Sequence, residues 1–444
     1  MARTMKDSGV NWIRQIPSGW NVANLRHNFT FGKGLPITKE NLRENGIAVI
    51  SYGQIHSKSN SGTTITRELI RYVDSEYLLT NPDSLVHEDD FIFADTSEDL
   101  AGCGNFVYVD KEKQLFAGYH TIILRHKADY AQKYYAFLFL SDAWRSQIRE
   151  RVTGVKLFSI SQKILRETSI LIPPLAEQSR IAAFLDEKCA AIDAVIEQTR
   201  ASIEEYKKLK QAVITQAVTK GLRPGRRMKE SGIEWIGEIP EEYSIIKLKH
   251  ILCSPLQYGA NQSGVPYGES LPRYIRITDI TLDGKLKKTG VLSLSEGDSE
   301  GYILQNNDVL FARSGATVGK TFIYKAEYGR SAFAGYLIRA SLNKEFLPDL
   351  LFFYTQSSIY EEWKNQIFIQ STIQNIGADR YNELLLILPP IEEQQEIVDY
   401  LDKKIAEIDS LIDRKAQLLC ELENYKKSLI FEYVTGKKEV NLYE

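Results

Sequence analysis

Apolar positions recur at intervals of three and four over two stretches that lack proline and glycine for over forty residues each. The first series is Cys189, Ile192, Ile196, Thr199, Ile203, Tyr206, Lys210 and Val213. The second is Ile405, Ile408, Ile412, Lys415, Leu419, Leu422, Lys426 and Leu429. Both are heptad seams with polar insertions at the same register. Each follows a double proline, Pro173-Pro174 or Pro389-Pro390, which stops the element before it. At 1.5 Å per residue, roughly 45 residues give a helix about 65–70 Å long. A lone amphipathic helix of that length must bury its stripe. With two in one chain, antiparallel pairing is the economical solution. The apolar seam is then Ile192, Ile196, Ile203, Tyr206 and Val213 with Ile405, Ile408, Ile412, Leu419, Leu422 and Leu429.

Elsewhere the pattern changes. GIAVISYGQI (46–55), DDFIFAD (89–95), GNFVYV (104–109) and YHTIILR (119–125) read as short strands, rich in β-branched and aromatic residues and punctuated by Gly, Asn and Asp. RYIRITDI (273–280), DVLFAR (308–313) and TFIYKA (321–326) read the same way. Helices are expected at 130–151 and 347–367, where apolar residues recur at three and four.

The chain is an internal repeat. MKDSGVNWIRQIPSGWNVANLRH (5–27) recurs as MKESGIEWIGEIPEEYSIIKLKH (228–250), with 10 of 23 positions identical. PPLAEQSRIAAFLDEKCAAID (173–193) recurs as PPIEEQQEIVDYLDKKIAEID (389–409), with 11 of 21 identical at a constant offset of 216. Between these anchors come Phe93-Ala94 and Phe311-Ala312, each preceded by an aspartate (Asp90, Asp308). FAGY at 116–119 and 333–336 follows, then WRSQI from Trp144 and WKNQI from Trp363. The expected fold is α+β: two repeated globular α/β domains, mostly antiparallel, separated by two long antiparallel coiled-coil helices with pseudo-twofold symmetry. The expected boundaries are 1–172 and 223–388 for the domains, and 173–222 and 389–444 for the central and distal helices. GLRPGRR (221–227) is the linker.

Composition narrows the class. The 444 residues are 43% hydrophobic and 25% charged, as in ordinary globular proteins. No apolar run is long enough to cross a bilayer and no signal peptide opens the chain, so a cytoplasmic protein without membrane contact is expected. The net charge of −3 argues against a generally basic nucleic-acid binder but leaves room for local patches. Residues 173–227 carry 10 Lys+Arg and 7 Asp+Glu, net +3; residues 389–444 carry 8 and 13, net −5. That complementarity favours pairing, weakly. Cys103, Cys189, Cys253 and Cys420 are scattered, as are the six histidines, so neither a zinc site nor a disulfide framework is expected.

Three segments invite an enzymatic reading. SGATVGKT (314–321) has three residues between its glycines where a P-loop needs four, and a strand-like run follows. DLAGCGNF (99–106) imitates a glycine turn for S-adenosylmethionine, but FVYV follows directly. No Asn-Pro-Pro-aromatic or Asp-Pro-Pro-aromatic tetrapeptide is present to hold a target base. The carboxylates of Glu88-Asp89-Asp90 have no lysine at nuclease spacing. No catalytic residue and no metal site are expected.

Two similar but non-identical heads on paired helices suit two different half-sites at a fixed separation, about 34–36 Å apart or a multiple. The layout resembles the specificity subunit of type I restriction–modification systems. SGVNWIRQIPSGW and SGIEWIGEIPEEY, PPLAEQSRIAAFLD and PPIEEQQEIVDYLD, and AVTKG (217–221) with YVTGK (433–437) carry the resemblance, which covers essentially the whole chain. Its departures are small: Arg14 stands where the second half has Gly237, and TKG replaces TGK. The resemblance implies a non-catalytic subunit that binds a split double-stranded DNA sequence. It implies two methyltransferase subunits and two ATP-driven restriction (translocase) subunits as partners. S-adenosylmethionine and ATP would then sit on those partners, with no cofactor on this chain. Two rival readings are a self-contained DNA methyltransferase and a coiled-coil scaffold without DNA specificity.

Base reading needs bidentate polar side chains, and phosphate contact needs Lys, Arg or small hydroxyls. In the first half the loop from Tyr52 to Thr64 offers Tyr52, Gln54, His56, Lys58 and Asn60. The matched region of the second offers Arg273, Arg276, Thr278 and Asp279, followed by Lys285, Lys287 and Lys288. The turn Arg313-Ser314 is a second candidate. The polar run before each double proline is a third: Lys156 and Ser159 in one half, Gln370, Ser371, Thr372, Gln374 and Asn375 in the other. Deleting four residues from one seam helix is expected to change the spacer tolerated between half-sites or to destroy the fold. A map of methylated sequences with target and spacer both unaltered would exclude a ruler role.

Overall fold

The structure, a computed structural model, describes residues 3–111, 114–127, 131–281, 284–369 and 375–440. It divides into two compact units, one formed by 1–199 with 417–444 and the other by 200–416. Both boundaries fall inside long helices, Leu175–Lys220 and Ile391–Val434, so each unit contains a length of both.

In the first unit two four-stranded sheets carry the domain. One has the order Phe106–Tyr108, Phe91–Ala94, Thr121–His126, Phe29–Lys33 and is antiparallel throughout. The other has the order Arg71–Val73, Ile47–Ile50, Leu115–Ala117, Leu85–Val86, and its central pair is parallel. Asn21–Asn24 pairs antiparallel with Ser169–Ile172, which brings the start of the domain to the residues just before Pro173. The second unit repeats the plan. Gln257–Tyr258, Leu337–Ala340, Val309–Ala312 and Thr321–Ile323 form the antiparallel sheet. Val265–Pro266, Leu292–Ser293, Arg273–Ile275 and Ser331–Phe333 form the other, whose last pair, Arg273–Ile275 with Ser331–Phe333, is parallel. Ser244–Lys247 closes onto Leu385–Leu388. The α+β, mostly antiparallel expectation holds, with one parallel pair per domain.

Several local expectations are refined. The helix expected at 130–151 is two, Gln132–Leu140 and Asp142–Arg149. The Ser141 hydroxyl donates to Leu138 O (2.7 Å) and accepts from Trp144 N (3.3 Å), ending one helix and capping the next. Ser357 does the same between Pro348–Tyr354 and Ser358–Ile369, with Tyr354 O at 2.7 Å and Tyr360 N at 3.4 Å. Counted from these serines, Trp144 lies three residues on and Trp363 six. The shared WxxQI motif therefore does not put both indoles on the same turn. The linker is also more constrained than its composition suggests. Arg223 and Arg226 pair with Glu396 and Glu393, at 3.2 and 2.8 Å.

The long helices run antiparallel within each unit. In the first, Phe184 packs on Tyr433 and Asp193 pairs with Lys426 at 2.6 Å. In the second, Lys415 lies over Tyr206 and Lys210 pairs with Asp409 at 2.7 Å. Ile196, Ile203, Ile405, Ile408 and Leu429 are buried, while Ile192, Tyr206, Val213, Ile412, Leu419 and Leu422 are half-buried. The two polar insertions Lys210 and Lys426 reach aspartates from the repeated Ile-Asp pairs, which fixes the helix register by charge.

The repeated Pro-Pro-x-x-Glu-Gln motif has a structural reason. Gln178 and Gln394 donate from Nε2 to the carbonyls of Pro173 (2.8 Å) and Pro389 (3.0 Å), tying each helix start to the strand before it. Glu177 accepts from Trp20 Nε1 (2.9 Å) and from Arg3, whose guanidinium lies over the Trp20 ring. Glu393 repeats this with Tyr243 Oη (2.6 Å) and Arg226, whose guanidinium lies over the Tyr243 ring.

Burial pushes the Glu393 carboxyl up, but hydrogen bonds from Arg226 and Tyr243 outweigh it and hold it below its ordinary 4.5. A lowered carboxylate stabilises the fold above the ordinary value and loses that contribution as pH falls through the lowered one. Glu393→Ala leaves Arg226 with Glu242, at 3.2 Å, and strands the hydroxyl of the buried Tyr243 without its acceptor, so it is expected to cost the second unit about 1–3 kcal/mol. Thermal unfolding followed from pH 7 into the acid range should show the wild-type advantage shrink below pH ~4.5.

Candidate nucleic-acid interface

The parallel strand pair ends at the same kind of turn in each unit. After Ile47–Ile50, Tyr52–Ile55 forms one helical turn whose capping box joins Ser51 and Gln54, with Gln54 Oε1 accepting from Ser51 N at 3.2 Å. After Arg273–Ile275, the turn Ile277–Asp279 is closed by Arg276 and Asp279. Beside this turn, the strand Phe91–Ala94 continues into Asp95-Thr96, and Val309–Ala312 into Arg313-Ser314. Asp95 N donates to His120 O (3.1 Å) and Asp95 O accepts from Ile160 N (2.7 Å). Arg313 N donates to Tyr336 O (3.0 Å) and Arg313 O accepts from Ile376 N (2.8 Å). Thr96 pairs with Ser159, and Ser314 bridges Asn375.

One backbone cradle thus occurs twice. It brings residues of the three clusters that the sequence singled out in separate places close together, with Ser159 and Asn375 standing for the run before the double proline. It also corrects the FAGY landmark. Ala117 faces Ile50 and Phe333 faces Ile275, so the motifs are offset by one and His120, not Tyr119, takes the place of Tyr336.

The candidate residues divide by what their polar atoms already do. His56 is committed to structure: Nε2 lies 2.8 Å from Thr96 O and Nδ1 3.1 Å from Asn105 Nδ2. Asn60 is committed too, since Nδ2 donates to Ile55 O (2.8 Å) and Phe106 O (2.9 Å) and Oδ1 accepts from Gly62 N (2.9 Å). Arg276 and Asp279 spend themselves on each other, with Nε and Nη2 donating to the carboxylate at 2.9 and 2.7 Å and Nη2 also reaching Gly290 O. These four hold the loops in shape through polar atoms that are already bonded within the chain. Gln54 spends its Oε1 on the cap.

The remaining candidates are more open. Lys58, Lys156, Ser159, Thr278, Lys285, Lys287, Lys288 and Asn375 are exposed. Tyr52 is half-buried and makes edge contacts with Tyr119 and His120. Arg273 donates to Lys287 O at 2.6 Å and, with Lys288, Tyr267 and Tyr328, lines a cleft of about 510 Å³. Ser314 is half-buried in the cradle. Arg313 is half-buried with its guanidinium over the Tyr258 ring, 4.9 Å from the centroid. Gln370, Ser371, Thr372 and Gln374 lie outside the described residues. Sequence reasoning missed Asp95, Thr96, His120, Tyr258 and Tyr336, which long-range pairing alone brings to the cradle. It also missed Lys320, held below its ordinary value by burial and by the charges of Lys364 and Lys287, which marks a local positive cluster in a chain of negative net charge.

The P-loop look-alike is a 3-10 turn, Gly315–Thr317, followed by the strand Thr321–Ile323. The glycine run 99–106 likewise leads into a strand, Phe106–Tyr108. Among the described residues no group of His, Cys, Asp and Glu could hold a metal, and no helix is long and apolar enough to cross a membrane.

Comparison with known proteins matches residues 17–205 and 273–419 to the type I restriction modification DNA specificity domain. The EcoKI specificity subunit of Escherichia coli K12 is 24% identical, over 95% of this chain and 90% of its own. The putative MjaX specificity subunit of Methanocaldococcus jannaschii is 25% identical, over 96% of each. A solved structure from work on assembly and conformational transition of the type I R-M system superposes with a TM-score of 0.69 at 17% identity. It covers 95% of this chain and 99% of that one, a likeness of fold.

Asn60→Ala removes two donors and an acceptor from buried partners and is expected to destabilise the first unit by about 1–3 kcal/mol. Lys58→Ala on the same loop should change the melting temperature little. Equal effects of the two in thermal unfolding would contradict this division of roles.

Proposed function

The chain belongs to the type I restriction–modification DNA specificity family, and on that premise we propose that each globular unit reads one half of a bipartite DNA target. It is a DNA sequence-specificity subunit, a component that works in assembly with DNA and the other subunits of its system. The observation that carries the half-site reading is the duplicated cradle. The same backbone hydrogen bonds hold Asp95, Thr96, His120 and Ser159 in one unit and Arg313, Ser314, Tyr336 and Asn375 in the other. Identical frames with different polar groups are what two related modules reading different base pairs require.

In this reading the chain contributes no catalytic group. Two methyltransferase subunits carry S-adenosylmethionine and modify the target, commonly at adenine. Two restriction subunits carry ATP and translocate DNA. The complex works in the cytoplasm, where its DNA is. The rival reading as a self-contained methyltransferase loses support because a strand follows the glycine run that would have cradled the cofactor.

Replacing residues 28–165 by those of a relative, in cells that also make the partner methyltransferase, should change one half of the methylated sequence and leave the other intact. A change in both halves would overturn the assignment of one unit to one half-site.

A further inference from the structure

We propose that Arg313 reads a guanine in the half-site of the second unit, through paired hydrogen bonds from its guanidinium to O6 and N7. This rests on the reading that the unit contacts DNA bases, and it names the base. Three constraints fix the residue. Its backbone N–H and C=O are held by Tyr336 and Ile376 in the cradle. Its guanidinium lies over the ring of Tyr258, 4.9 Å from the centroid. That ring is anchored in turn, because Tyr258 Oη accepts from Ala378 N at 3.0 Å.

Among the described residues the guanidinium has no hydrogen bond and no ion pair, and its Nε is buried without a partner. Other arginines of the unit are occupied: Arg276 by Asp279, Arg330 by Glu296 and Arg273 by Lys287 O. A guanidinium held over an aromatic ring, with its donors unspent, is organised for planar bidentate recognition rather than for a diffuse phosphate contact. In the major groove only guanine presents two acceptors side by side to such a fork. The exposed Lys285, Lys287 and Lys288 supply phosphate-type charge on the same unit.

The first unit provides an internal contrast. Its cradle holds Asp95, a group that only accepts and that faces His120 Nδ1 at 3.2 Å. A carboxylate cannot bond the guanine acceptors and takes a donor such as cytosine N4 instead, so the two framed positions do not read the same base edge.

The test uses the complete complex with its methyltransferase partner. Methylated sequences are mapped for wild type and Arg313→Ala. One G·C position in the second half-site should become degenerate, losing roughly tenfold to hundredfold discrimination against other bases. The first half-site should be unchanged, which also shows that the variant folds. If the variant modifies no DNA, binding of the purified wild-type complex to duplexes carrying 7-deazaguanine at each guanine of that half-site decides the matter. One substitution, which removes N7, should weaken binding about tenfold or more.

Unaltered specificity in Arg313→Ala, or indifference to 7-deazaguanine at every position, overturns the proposal. So does a uniform loss over all sequences with the salt slope reduced by about one, the signature of a phosphate contact. A wild-type map without any bipartite sequence would instead remove the half-site reading on which the proposal stands.

Discussion

A heptad stripe running along more than forty residues has to be covered, and most of the architecture follows from how that is done. In each unit a length of one long helix covers a length of the other, and the same apolar surface continues into the domain. Leu429, Ile430, Tyr433 and Val434 join Trp20, Tyr134 and Ile181 in one core; Ile214, Ala217 and Val218 join Tyr243, Leu350 and Ile397 in the other. Tyr134 even donates its hydroxyl to the carbonyl of Val434, at 2.9 Å. Helix pairing and domain folding are therefore a single hydrophobic event in each unit. An apolar seam alone tolerates sliding by a heptad. Lys426 with Asp193, and Lys210 with Asp409, remove that freedom, because a slipped register would strand a half-buried ammonium group.

Once the helices are in register, the clamp at each helix start orients the domain on it. Glu177 with Arg3 and Trp20, and Glu393 with Arg226 and Tyr243, are the same device built twice. Trp and Tyr interchange because each offers a flat face to the guanidinium and one donor to the carboxylate. The strand pairs Asn21–Asn24 with Ser169–Ile172 and Ser244–Lys247 with Leu385–Leu388 then return the chain to the double proline. What lies between those closing strands is free to vary so long as both its ends come home.

This explains what was legible in the sequence and what was not. The heptads, the double prolines and the Glu-Gln motif recur because each answers a fixed geometric demand, and they were readable at a constant offset. The parallel pairs of strands were not, since a short apolar run carries no mark of its partner's direction. Nor was the split of each mid-domain helix, because Ser141 and Ser357 act through one hydroxyl in an otherwise helical pattern. Among the candidate contacts, residue type was informative but occupancy was invisible. Asn60 and Arg276 have the right chemistry for bases, yet their hydrogen bonds are spent on the loop that carries them. Asp95 and Tyr336 were passed over because only pairing between distant strands brings them to the cradle.

The cradle also shows why two halves can diverge so far and keep one function. Its geometry is written in backbone N–H and C=O groups, which every residue but proline supplies in full. The side chains at Asp95 and Arg313 supply none of those backbone hydrogen bonds, and the same frame carries a negative group in one unit and a positive group in the other. Specificity can then change by substitution at a few framed positions without a new loop having to fold, and the stability of the unit stays with the core and the clamp. A net charge of −3 is no obstacle under this arrangement. On the proposed reading, attraction to DNA draws on local cations such as Arg313 and the exposed lysines at 285, 287 and 288, while the acid-rich second helix spends its carboxylates on partners such as Lys210 and Arg226.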